Sequence, residues 1–77
     1  MKPEEYETLV DGILQTEMEK KMIINELKSG SLITSEISRR VNLSPNQVFN
    51  HLKVLKRLNI VAVIGEREGE LEFQLLL

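Results

Sequence analysis

From Asn42 to Ile60 the chain holds amides and cations and no carboxylate. Asn46, Gln47 and Asn50 fall within five residues, Phe49 lies among them, and Lys53, Lys56 and Arg57 follow at helical spacing. An Asn or Gln amide can bridge the edge of adenine with two hydrogen bonds, and a phenyl ring can touch a thymine methyl. Ammonium and guanidinium groups neutralise phosphates and set register without reading sequence. Arg39, Arg40 and Ser44 just upstream, and Arg67 further on, extend the candidate phosphate set. A merely solvated helix face, with Phe49 folded into the core, is the competing use of the same residues.

Other chemistry finds little support. There is no cysteine and one histidine, so neither thiol catalysis, a disulfide nor a metal-ligand set within one chain can be assembled. His51 therefore has no ligand set to join. No Ser/His/Asp set, phosphate-cradling glycine loop or carboxylate pair in an evident cleft is present, so no enzymatic activity and no cofactor are expected.

The net charge of −2 is unevenly spread. Residues 1–19 carry −5, 20–33 carry +2, 34–59 carry +4 and 60–77 carry −3. A basic centre is the electrostatic footprint a phosphate backbone requires, whatever the total. Apolar runs of at most five residues predict no membrane span and no secretory signal, which makes the cytoplasm the expected compartment. Seventy-seven residues make one small domain, near the lower limit for a single unaided core.

Those side chains need elements to carry them. Ser44 is suited to cap a helix, Pro45 to open it, and Gln47 to complete a capping box; Val48, Leu52 and Leu55 give it a buried face. Asn59 suits a left-handed stop, so the helix is expected over 45–58. Upstream, Thr34 is expected to cap a short helix with Ile37 and Val41 inward, and Asn42-Leu43 forms the turn between the two. Residues 31–33 read as a short extended link. Pro3, Glu4 and Glu5 open an amphipathic helix bearing Tyr6, Leu9, Val10, Ile13 and Leu14. Thr16 with Glu19 reads as a second capping box, so the helix either restarts there or continues with a kink; Met18, Met22, Ile23, Ile24 and Leu27 are expected inward. After Asn59 the β-branched run 60–64 reads as a strand, Glu68-Gly69 as a turn, and 71–77 as an alternating strand. Placing that turn at the tip pairs Ile64 with Phe73 and Ala62 with Leu75, leaving Val61, Val63 and Leu76 on the other face. The fold class expected is α+β, mainly α: a winged helix-turn-helix in one domain over 1–77, with 17–77 as its core.

Leu43-Ser44, Val48, His51-Leu52-Lys53-Val54-Leu55 and Ile60-Val61 resemble the recognition-helix signature of ArsR-type winged-helix regulators, and the pattern is shared more distantly with the MarR type. Thr34 to Ile37 and Val41 are similar to the preceding helix of that family. The resemblance implies a DNA-binding transcription regulator, usually a homodimer, with the long helix in the major groove of double-stranded DNA. Asn59 stands where the family usually has glycine, and Phe49 where a small polar residue is commoner. The missing cysteine argues against the metal sensing of many relatives. Without the C-terminal helix that many relatives use to dimerise, pairing is expected through residues 1–16 (Tyr6, Leu9, Val10, Ile13 and Leu14) or the hairpin.

The expected function is thus a sequence-specific regulator, acting as a repressor. Asn46, Gln47, Phe49 and Asn50 would meet bases; Arg39, Arg40, Ser44, Lys53, Lys56, Arg57 and Arg67 would meet phosphates. The hairpin tip Glu66-Arg67-Glu68-Gly69-Glu70 opposes this reading, because its carboxylates repel phosphate. It motivates the alternative, a winged helix that docks on a protein of the transcription or replication machinery.

Overall fold

The computed structural model describes the backbone of residues 3–76 and the side chains of residues 14–76. Six elements follow in order: α1 (Pro3–Leu27), β1 (Leu32–Ile33), α2 (Thr34–Val41), α3 (Pro45–Arg57), β2 (Val61–Arg67) and β3 (Glu70–Leu75). The strands form one antiparallel sheet in the order β1-β3-β2. This is the expected winged helix-turn-helix.

The first helix is continuous through Gly12 and Thr16. A capping box starts a helix only where the preceding backbone leaves helical geometry, and here it does not. Side-chain bonds on either side of Thr16's turn, Gln15 to Glu19 at 3.4 Å and Lys20 to Glu17 at 3.3 Å, span the stretch. Ile23 and Leu27, one turn apart, enter the core. Met18 and Met22, expected beside them, are exposed instead. At about 100° per residue they lie roughly 140° and 100° around the helix from Ile23, too far to share its face.

Helix α2 starts one residue off the expected cap. Ile33 occupies the N-cap and Thr34 is already helical. Ile33 has no side-chain acceptor, so carboxylates supply one from outside the cap position. Glu36 Oε1 accepts from the Ile33 N–H at 3.1 Å, and Glu70 Oε1, from β3, accepts from the Ser35 N–H at 3.0 Å. Two orphan donors of the first turn are thereby satisfied, and a negative charge sits at the positive end of the helix. Asn42 ends α2 in the left-handed region (φ 57°). The Ser38 carbonyl takes both the Asn42 and Leu43 N–H groups, while the Ser38 hydroxyl donates to the Leu43 carbonyl. The turn between the two helices is locked from one residue.

Helix α3 has the anticipated start and ends at Arg57, one residue before the expected end, with Leu58 as its C-cap. Ser44 Oγ accepts from the Gln47 N–H at 3.2 Å and Gln47 Oε1 accepts from the Ser44 N–H at 3.0 Å, a complete capping box with Pro45 in the first turn. At the other end Asn59 is left-handed (φ 60°); its N–H donates to Lys56 O at 3.0 Å and that of Ile60 to Leu55 O at 2.9 Å. This pair of bonds is the Schellman motif, and it turns the chain directly into β2.

The hairpin differs from the simple register. Near the tip Arg67 faces Glu70, Glu66 faces Leu71 and Gly65 faces Glu72, but beyond an irregularity at Ile64 the partners become Val63 with Phe73 and Val61 with Leu75. Ile64 is an extra residue on β2, a bulge. The one-residue slip reverses which side chains face inward. Val61 and Phe73 are buried, Val63 and Leu75 pack against the core, and Ile64 is exposed. The expected pairing of Ile64 with Phe73 and Ala62 with Leu75 is thus corrected. Glu68 (φ 56°) and Gly69 (φ 77°) form the tip, both left-handed as a two-residue hairpin turn requires.

One core joins all six elements. Ile23 and Leu27 of α1, Leu32 of β1, Ile37 of α2, Val48, Leu52 and Leu55 of α3, Val61 of β2 and Phe73 of β3 form a single buried cluster. Among the described residues no polar or charged residue is buried. Because α3 spends Val48, Leu52 and Leu55 inward, the side that carries Asn46, Asn50, Lys53 and Arg57 is left to solvent.

Candidate nucleic-acid interface

The face of α3 opposite the core carries the expected side chains. Asn46, Gln47, Asn50, Lys53, Lys56 and Arg57 are all exposed, and Phe49 is 40% exposed rather than folded inward. Val48, the residue before it, fills the core position that Phe49 would have had to take. The Lys53 ammonium stands 5.3 Å from the Phe49 ring centroid, one helical turn on, within cation–π range. Gln47 has its side-chain oxygen engaged by the cap, leaving its NH₂ to face outward chemistry. Ser44 is exposed at the start of the helix with its oxygen accepting the cap bond.

Positive charge collects at the far ends of both helices of the pair. Arg39 and Arg40 lie in the last turn of α2, Lys56 and Arg57 in the last turn of α3, where cations complement the helix dipole. Among the described residues no ion pair engages Arg39, Lys53, Lys56 or Arg57. Arg40 is shared: its Nη1 lies 3.6 Å from Glu26 Oε2 on α1.

Arg67 is placed differently from the rest. Its Nη2 donates to Glu36 on α2, and its Nε lies 3.5 Å from Glu72 Oε2 on β3. Glu72 Oε2 in turn accepts from the Ser31 hydroxyl at 2.8 Å. The hydrogen bond from Arg67, then that from the Ile33 N–H, holds the Glu36 carboxyl below its usual range, and the same Glu36 contact raises Arg67. The guanidinium is therefore committed within the chain. With Glu70 at the α2 N-terminus, these groups tie the hairpin to the helix pair. This network is not legible in the sequence, since its long-range bonds join residues 31 to 41 apart and only the sheet brings them together. The acid-rich tip was the available sign that Arg67 would find a partner at home.

His51 Nε2 lies 2.8 Å from Glu19 Oε1, joining the exposed helix to α1 with both side chains largely covered. Of the five residues expected to dimerise, Leu14 is exposed and the side chains of Tyr6, Leu9, Val10 and Ile13 lie outside the described residues. Among the described residues no group of three or more His, Asp or Glu is placed to hold a metal ion. Among the described residues no helix is long and apolar enough to cross a membrane.

A short helix, a tight turn and a longer basic helix, followed by a hairpin packed beside them, define the winged helix-turn-helix class of regulators. Residues 19–63 match the family model described as bacterial regulatory protein, arsR family, and the chain belongs to that family. Among solved structures, it is similar to the Zalpha domain of PKZ from Carassius auratus, determined in complex with Z-DNA: 25% identity over 80% of this chain and 98% of that one, with a TM-score of 0.72. It is also similar in fold to the adhesin competence repressor (AdcR) of Streptococcus pyogenes, at 17% identity and a TM-score of 0.64; 94% of this chain is covered but only 60% of the repressor. A search of curated proteins finds no match.

Proposed function

We propose that this chain is a sequence-specific regulator that binds double-stranded DNA, places α3 in the major groove, and represses by occupying its operator. One observation carries the reading: the solvent face of α3 combines amides, a half-exposed phenyl ring and cations with no carboxylate to neutralise them. An α-helix fits the B-form major groove, and amides there bridge adenine. Asn46, Gln47, Phe49 and Asn50 meet base edges. Arg39, Lys53, Lys56 and Arg57 hold phosphates, with Ser44 donating its hydroxyl hydrogen at the helix start and Arg40 exchanging Glu26 for a phosphate. Arg67 leaves the phosphate set, because it already serves Glu36 and Glu72.

The functional unit proposed is a cytoplasmic homodimer paired through α1, including Tyr6, Leu9, Val10, Ile13 and Leu14. A two-fold pair presents two α3 helices to half-sites about one helical turn apart. Membership of the arsR family supports the regulatory role, and the Zalpha domain's Z-DNA complex supports nucleic acid as the partner.

The test is a salt-titrated binding assay on duplex DNA from the chain's own upstream region, with B-form and Z-form arms and a mass measurement in parallel. Binding to the B-form duplex should weaken linearly on a log–log plot, with a slope of about −0.9 per phosphate neutralised. Preference for the Z-form arm would remove the major-groove assignment. Failure to shift any duplex at low salt would move the function to the second reading, a protein-docking winged helix. That reading draws on the exposed Glu66 and Glu68 at the tip and on an Arg67 that is already paired.

A further inference from the structure

We infer that Lys53 is a positioning residue for Phe49, and that the pair reads the C5-methyl group of thymine. The inference rests on the DNA reading above and adds a base identity to it. Lys53 follows Phe49 by one helical turn, and helical side chains sweep back toward the N-terminus, so the ammonium covers the ring rather than extending straight out. It stands 5.3 Å from the ring centroid and occupies one face. Phe49 nevertheless remains 40% exposed, an apolar surface at the edge of an otherwise polar helix face.

A phenyl ring free to choose its rotamer on a helix surface presents no fixed contact. Held by Lys53, it presents the same apolar patch each time, and loses less freedom on binding. Asn46 and Asn50, three residues before and one after, are exposed beside it. In an A·T pair the adenine N6 and N7, which amides bridge, share the major-groove edge with the thymine methyl, with thymine O4 between them. A methylated cytosine pairs with guanine, which the flanking amides match poorly, so thymine is the base selected. The same residues thus supply a polar reader and an apolar reader for one base pair.

The test compares alternating poly(dA-dT) with poly(dA-dU), duplexes of equal charge that differ by the methyl group alone. Wild type should prefer the thymine polymer by about fourfold per contacted methyl. Phe49→Ala should abolish the preference. Lys53→Gln should weaken binding to both polymers, through lost charge, and in addition reduce their ratio toward one; Lys53→Arg, which keeps a cation over the ring, should retain the ratio. These positions lie on an exposed helix face and the substitutes for Lys53 are good helix formers, so circular dichroism should be unchanged. A wild-type ratio of one overturns the thymine assignment. A Lys53→Gln variant with the wild-type ratio shows that Lys53 is a phosphate contact only and overturns its positioning role. Loss of binding to every duplex by wild type, by contrast, removes the DNA reading itself.

Discussion

His51 on α3 and Glu19 on α1 are 2.8 Å apart, Nε2 to Oε1, with the side chains 13% and 12% exposed. This is a direct polar tie between the helix proposed to read DNA and the helix proposed to dimerise. Removing the carboxylate leaves the imidazole nitrogen without its partner in a largely covered site. Glu19→Ala should cost about 1–3 kcal/mol in urea denaturation, a substantial part of the roughly 4–12 kcal/mol expected for a domain of this size. An unchanged unfolding midpoint would show that the tie contributes nothing to the fold.

The hairpin should loosen in acid. Glu36 is held below its usual carboxyl range by Arg67 and the Ile33 N–H. A group whose folded value is depressed stabilises the fold above its unfolded value, about 4.5, and that contribution is lost as pH falls through the lower folded one. The Glu36 carboxyl should therefore titrate below an ordinary glutamate by carbon-detected NMR. In Glu36→Gln the acid limb of stability against pH should be shallower than in wild type, and equal limbs would mean the carboxylate gains nothing from folding.

The wing tip carries a removable strain. Glu68 has φ 56°, a region that side chains other than glycine and asparagine enter at a cost. Glu68→Asn should raise stability by roughly 0.5–1 kcal/mol, as the type of turn favours asparagine at that place. Thermal unfolding reads this directly, and a lower melting temperature would show that the glutamate side chain itself stabilises the tip.

Duplex affinity should respond uniformly to the cation at Arg57. Arg57→Ala removes a charge that no ion pair occupies among the described residues, so binding should weaken equally on all sequences and the salt slope should fall by about one unit. A change confined to one sequence would make Arg57 a base reader rather than a phosphate contact.

Pairing through α1 should be sensitive to its outer face. Leu14, Met18 and Met22 recur every four residues and are exposed at 56%, 63% and 41%. Met18→Glu should shift a dimer toward monomer in analytical ultracentrifugation with little change in the monomer's own stability, since the side chain leaves no core. A wild type that sediments as a monomer at high concentration would exclude this pairing.

Much of this architecture was readable one element at a time. Ser44, Pro45 and Gln47 start α3, Asn59 stops it, and Glu68-Gly69 turns the hairpin, because capping and turn chemistry act over three or four residues. The apolar spacing of Val48, Leu52 and Leu55 decided which side of α3 faces out, and with it where Asn46, Gln47, Phe49 and Asn50 point. Periodicity separates the Met18–Met22 stripe of α1 from the Ile23–Leu27 stripe, but only the neighbouring elements decide which of the two is covered. The bulge at Ile64 was equally hidden: residues 60–64 read as one apolar run with nothing to single out Ile64, and only packing Val61 and Val63 against the helices selects the slipped register.

The charged groups divide along the same line. Local sequence determined that positive charge gathers on the helix pair and negative charge on the hairpin, because those residues are contiguous. Which cations stay available was decided by tertiary structure. Folding β3 beside β1 brings Glu72 to Ser31 and Glu70 to Ser35 at the start of α2, and there Arg67 reaches Glu36, contacts that span 31 to 41 residues of chain. Coulomb attraction acts over a few ångströms of space and is indifferent to separation along the chain, so Arg67 could be assigned a partner only once the hairpin had its place.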